Sequence, residues 1–135
     1  MIVNPAYLHS DTTGEVLSVA FEVHKYIGCG FIERVYHNSM MVECKLRNIT
    51  YESEKELPIY YKNKKVGSRR ADLLFNEKVI VEIKALSKLE DVHLAQAINY
   101  LEAFNLEVGL LINFGAKSLE YKRLIHPRLL KIKPT

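Results

Sequence analysis

The segment from Arg69 to Lys84 constrains the fold of this chain more than any other. It holds two apolar runs, Leu73-Leu74-Phe75 and Val79-Ile80-Val81, separated by a turn signal at Asn76-Glu77-Lys78. Val79, Val81 and Ile83 alternate with Ile80, Glu82 and Lys84, so a strand here has one wholly apolar face. Glu82 and Lys84 then share the other face. The first strand begins at Val66 and contains Asp72, and a tight hairpin brings Asp72 to the Glu82 end of its neighbour. Charges on so apolar a strand cost free energy unless they are paired or bind a metal. The plainer alternative is a solvated Glu-x-Lys face with a salt bridge worth at most ~1 kcal/mol.

The rest of the chain reads as helices around such strands. Ser10 or Asp11 can cap a helix to about Ile27, with Val16, Val19, Ala20, Val23 and Ile27 as its buried stripe. Gly28-Cys29-Gly30 ends it. A second helix runs from about Glu33 to Arg47, with Val35, Met41, Val42, Cys44 and Leu46 as packing candidates. The period then changes. Glu56 to Tyr61 is β-rich, and Asn63-Lys64 marks a turn into the strand that begins at Val66. A helix from about Leu89 to Phe104 follows, then strands over Glu107–Asn113 and Leu119–Ile125, and Pro127 begins a tail. The order α-α-β-β-β-α-β-β predicts an α/β (mixed α+β) fold with a central mixed β-sheet flanked by helices. A parallel crossover through the Leu89 helix would be right-handed.

At 135 residues, with 48% apolar and 26% charged residues, the chain is expected to form one domain over residues 1–135. Cys29 and Cys44 lack metal-ligand spacing and are expected as reduced thiols with packing roles in a cytoplasmic protein. Asn4, His9, Asp11 and Glu15 interrupt the early apolar residues, and no run approaches the ~20 needed to span a membrane. Neither a leader peptide nor a membrane role is expected. The net charge of +3 is mild, but its distribution is uneven. Lys62, Lys64, Lys65, Arg69 and Arg70 form a run without an acid, and Lys117 to Lys133 holds six Lys or Arg against Glu120. Both stretches suit a phosphate backbone, or else a solvated hairpin tip and tail.

Asp72 and Glu82 are candidate metal ligands, and hard oxygen donors favour Mg2+ or Mn2+ over zinc. Lys84 is the candidate partner of the attacking water or of developing phosphorane charge. Glu33 opens the second helix, where it either offsets the dipole by ~0.3–1 kcal/mol or adds a carboxylate to the metal site. Tyr36 shares its helical face. Gln96 and Tyr100 share a face of the later helix, and Gln96 sits among Leu94, Ala95, Ala97 and Ile98, where an amide needs partners. His24 and His93 are read as ordinary surface or core residues.

Gly30-x-x-Glu33-x-x-Tyr36, Arg70-Ala71-Asp72, Glu82-Ile83-Lys84, Gln96-x-x-x-Tyr100-Leu101 and Leu111-Ile112-Asn113-Phe114-Gly115 together resemble the GxxExxY protein family. That family is placed in the PD-(D/E)XK nuclease superfamily, and the likeness runs from about Val16 to Arg123. It implies an αβββαβ core and a nuclease signature at Asp72, Glu82 and Lys84. Glu33 would be the acidic residue of the preceding helix, and Gln96 a site residue of the following one. Ala71 stands where the signature's name has proline. The function expected is a metal-dependent nuclease (a hydrolase) acting on nucleic acid, DNA in the first place. Asp72, Glu82, Lys84, Glu33 and Gln96 would be catalytic, with Asp72, Glu82 and Glu33 on the metal. Lys64, Lys65, Arg69, Arg70, Tyr36 and Tyr100 would contact nucleic acid. A double-strand cutter of this size would act as a homodimer. The alternative is a non-cleaving nucleic-acid-binding module or an interaction subunit with the same fold.

Overall fold

The computed structural model describes residues 8–130. The elements are α1 (Ser10–Ile27), α2 (Glu33–Leu46), β1 (Glu52–Ser53), β2 (Glu56–Tyr61), β3 (Lys64–Arg70), β4 (Leu73–Phe75) and β5 (Val79–Lys84). They are followed by α3 (Asp91–Ala103), β6 (Val108–Asn113), β7 (Glu120–Ile125) and a single turn, α4 (Pro127–Leu130). Runs of valine, isoleucine and leucine as continuous as those of β5 and β6 suit only strands covered on both faces. These two are the centre of a five-stranded sheet ordered β1-β4-β5-β6-β7. They are parallel to each other, joined through α3, and every other neighbouring pair is antiparallel.

The period-2 alternation divides the core into two layers. Val79, Val81, Ile83, Leu110 and Ile112 face α1 and α2, where they meet Val16, Val19, Ala20, Val23, Tyr36, Met40 and Cys44. Ile80, Leu74 and Leu111 face the opposite way, toward Ala97 and Leu101 of α3. The result is a mixed sheet with helices on both faces.

Four local features depart from expectation. His9, in the left-handed region at φ 54°, is the N-cap residue of α1, so Ser10 is the first helical residue and neither it nor Asp11 supplies a side-chain cap. The buried side of α2 is Tyr36, His37, Met40 and Cys44, whereas Val42 and Leu46 lie exposed. The helix phase follows Tyr36, whose ring stacks on Phe114 at 4.7 Å. The expected strand through Asp72 is interrupted at Ala71-Asp72. Its first part, β3, pairs only with β2 in a separate two-stranded ribbon, and β4 alone enters the main sheet. Finally, Cys44 is buried but Cys29 is exposed, so the packing role holds for Cys44 alone.

Asn113, the last residue of β6, and Gly115 just beyond it fix the loop that leaves β5. The fully buried Asn113 amide accepts the Leu86 N–H at 2.7 Å and donates to the Leu86 carbonyl at 2.9 Å. Gly115 lies against the same loop, where an added Cβ would sit 2.4 Å from the Leu86 nitrogen and oxygen. Gly115→Ala should therefore destabilise the protein by at least ~1–3 kcal/mol in urea denaturation. Gly14→Ala, inside α1 with nothing within 4 Å, should stabilise it by ~0.5–1 kcal/mol.

Candidate active site

The register Leu73↔Val81 continues by one step to set Asp72 across from Glu82. Asp72 lies just beyond the end of β4 and extends the ladder with its side chain, Oδ2 accepting the Ile83 N–H at 2.7 Å. Glu82 points toward α3 and is 4% exposed. Its Oε1 accepts from Nη1 of Arg69 at 2.8 Å. The Arg69 guanidinium in turn lies 3.9 Å from the centre of the Tyr100 ring. Gln96 Nε2 donates to the Tyr100 hydroxyl at 3.3 Å. Arg69, Glu82, Lys84, His93, Gln96 and Tyr100 thus line one small hollow on the α3 side. A second hollow, on the α2 side, is lined by Glu33, Arg34, His37, Asp72 and Ile83.

Burial dominates the electrostatics. It pushes the Glu82 carboxyl up to about 7; the Asp72 charge adds to the rise, and Arg69 and Lys84 restrain it. Burial works against the Arg69 charge, but Glu82 and Tyr100 outweigh it, so the guanidinium stays charged. His37 is held below its ordinary value by burial, against the attraction of Asp72.

Asp72, Glu82, Lys84, Gln96, Tyr100 and Arg69 are gathered at one end of the sheet. Lys84 forms no ion pair among the described residues; the partner of Glu82 is Arg69. Arg69, expected on the nucleic acid, is turned inward because stacking and ion pairing together outweigh its hydration. Glu33 shares a hollow with Asp72 but not with Glu82. Among the described residues no group of three or more His, Cys, Asp or Glu is positioned to hold a metal. Tyr36, expected at the nucleic acid, is fully buried. Its hydroxyl donates to the Gly28 carbonyl at 2.7 Å and accepts the Phe31 N–H at 3.3 Å, so its role is to hold the α1–α2 loop. Gly30 within that loop has φ 114°, a conformation that favours glycine. Lys64, Lys65 and Arg70 are exposed. Of the basic tail, Lys131 and Lys133 lie outside the described residues.

Sequence reasoning passed over His37, which is buried beside Asp72 with Nε2 2.9 Å from Ser53 Oγ. Its only local signal is its place one residue after Tyr36 on an inward face. His93, which the sequence suggests is an ordinary surface or core residue, lines the Glu82 hollow, its Nδ1 accepting the Glu90 N–H at 3.0 Å.

Asp72 and Glu82 carry hard carboxylate oxygens, the donor type that a divalent cation such as Mg2+ takes. Mg2+ is ordinarily held by one or two carboxylates, water and substrate phosphate rather than by an all-protein cage. A cation beside a buried acid of raised pKa and a second carboxylate would relieve their repulsion.

The chain belongs to the PD-(D/E)XK nuclease superfamily, whose model matches residues 10–124. The chain is also similar in fold to the crystal structure of SSO0001, with a TM-score of 0.55 at 21% identity. That likeness covers 73% of this chain and 55% of SSO0001, and at this identity it shows the fold alone. No curated protein matches the chain. Among the described residues no helix is long and apolar enough to cross a membrane.

The raised pKa of Glu82 has a signed consequence for stability. Between the ordinary value of 4.5 and about 7 the folded state binds more protons than the unfolded state, so stability falls as pH rises through that window. Metal-free Glu82→Gln should be more stable than wild type at pH 8, by on the order of 2–3 kcal/mol. The difference should vanish below pH ~4.5. Urea denaturation in EDTA at several pH values measures both.

Proposed function

We propose that this chain is a Mg2+- or Mn2+-dependent nuclease that hydrolyses phosphodiester bonds of nucleic acid, with DNA as its principal substrate. The observation that carries the proposal is the buried Glu82 carboxylate beside Asp72, with Lys84 two residues along the same strand face. Superfamily membership supports the reaction class. The ordered residues Gly30, Glu33, Tyr36, Asp72, Glu82, Lys84, Gln96, Tyr100 and Asn113 support assignment to its GxxExxY members, as a single-domain cytoplasmic protein.

Asp72 and Glu82 would hold the cation, which when bound supplies a water of lowered pKa and a polarised phosphoryl oxygen. Lys84 projects from the end of β5 with Glu82 and would set an ammonium against the charge that develops on the phosphoryl oxygens. Glu33, sharing the hollow of Asp72, would orient water there rather than complete a three-carboxylate cage. Gln96 holds the Tyr100 hydroxyl, and Tyr100 supports the guanidinium of Arg69 beside Glu82. Lys64, Lys65 and Arg70 offer exposed charge to the backbone of the substrate. Cutting both strands of a duplex would take two such sites, hence a homodimer.

One observation favours a second reading. Arg69 already neutralises Glu82, as suits a module that binds nucleic acid without cutting it. Activity on single-stranded, duplex, flapped and branched DNA and on RNA, with Mg2+ or Mn2+, decides between the two. Calorimetry should detect Mg2+ or Mn2+ binding to wild type that Asp72→Asn abolishes. Lys84→Ala should keep the fold and the metal yet lose ~10²–10³ in cleavage rate. Metal and nucleic-acid binding without any cleavage would favour the second reading, and absence of divalent-ion binding at millimolar concentration would overturn the first.

Salt provides a separate check on the exposed cations. Log affinity for duplex DNA should fall with log salt, and replacing Lys64, Lys65 and Arg70 by Gln should reduce the slope by about 2–3. An unchanged slope would assign them to a solvated hairpin.

A further inference from the structure

The β2–β3 ribbon leaves the body of the protein with an unusual surface. It forms a two-stranded sheet of its own, with no strand pairing to the five-stranded sheet. Its distal half exposes Tyr60 at 60% and Tyr61 at 62%. Exposure of this order on two adjacent rings serves no packing purpose. The register sets Tyr60 opposite Lys65 and Tyr61 opposite Lys64. Directly opposed residues share a face, and successive residues alternate faces. Each face of the ribbon tip therefore carries one aromatic ring next to one ammonium. Lys62 at the turn adds a third cation, with Nζ 5.4 Å from the centre of the Tyr61 ring. No acidic residue occurs from Leu57 to Arg70. The one carboxylate in the ribbon, Glu56, lies at its root and accepts a hydrogen bond from Ser68. At that same root, Arg69 reaches into the candidate active site and pairs with Glu82.

Cations alone would serve any polyanion. Exposed rings beside them add a demand that a duplex interior does not meet, because paired bases hide their faces in the stack. Unpaired bases offer a face to every ring, and aromatic stacking combined with a basic track is how single strands are bound without sequence preference. We propose that the β2–β3 ribbon is a single-strand-binding arm. Tyr60 and Tyr61 stack on unpaired bases while Lys62, Lys64 and Lys65 neutralise the adjoining phosphates. The substrate class is then nucleic acid with an unpaired stretch beside the scissile bond. This rests on the nucleic-acid reading above and narrows it.

The test uses the full chain in EDTA, so that binding is read without cleavage, with labelled oligothymidylate, a splayed-end duplex and a blunt duplex as probes. Wild type should prefer the first two over the blunt duplex. Tyr60→Ala with Tyr61→Ala should weaken oligothymidylate binding at least about tenfold and blunt-duplex binding by less than about threefold. Tyr60→Phe with Tyr61→Phe keeps both rings and should bind like wild type. The chain has no tryptophan, so Tyr60→Trp introduces a single indole whose emission oligothymidylate should quench.

Thermal melts should be unchanged, since both rings are exposed. An alanine pair that binds oligothymidylate like wild type, or that loses both probes equally, overturns the proposal. So does an indole that saturating oligothymidylate leaves unquenched. If the alanine pair changes only sedimentation, the ribbon is a contact between copies and the proposal fails. Wild type that binds none of the probes would instead overturn the nucleic-acid reading itself.

Discussion

A carboxylate in the interior of a strand pair covered on both faces sets the terms for the rest of this site. Glu82 lies among Ile80, Leu111 and the inner side of α3, where little water reaches it. Its charge can persist only through neighbours, and each of them is fixed by a different element. Asp72 is held at the end of β4 by the Ile83 N–H, Arg69 arrives from the end of the ribbon, and Tyr100 supports Arg69 from α3. Any one interaction here would be of modest worth at a surface. Around a buried acid the same contacts decide whether the group is charged at all.

The machinery behind the site consists largely of residues that never face it. Tyr36 stacks on Phe114 and ties the loop between α1 and α2 by two hydrogen bonds, which fixes where Glu33 begins its helix. Asn113 and Gly115 clamp the loop that follows Lys84, one by a pair of amide hydrogen bonds and the other by having no side chain. The motif positions therefore divide into groups that line the two hollows and groups that hold the surrounding chain still.

Much of this architecture is legible without coordinates. The strict alternation from Val79 to Lys84 separates the two faces of β5 correctly, and the apolar run from Val108 to Ile112 identifies its parallel neighbour. Three other features depend on contacts distant in sequence and leave no local trace. The phase of α2 is set by Phe114, which is 78 residues beyond Tyr36, not by the apolar residues Val42 and Leu46 that propensity would bury. The break at Ala71-Asp72 has no glycine or proline to announce it. Arg69 reads as one more member of a basic run, because its inward turn requires both Glu82 and Tyr100 to be in place. Where the candidate residues meet was thus partly readable from hairpin register, while the partition of Glu33 and Glu82 into separate hollows was not.

The placement of Arg69 also ties the candidate site to the root of the ribbon. The same side chain neutralises a buried acid and anchors the root of a protruding ribbon. Whatever competes for Glu82 therefore also competes with the ribbon's attachment. Linkage requires the reverse with equal strength: a load on the ribbon that draws Arg69 outward leaves Glu82 more in need of another cation. The charge of a buried acid and the seating of the ribbon then depend on one and the same side chain.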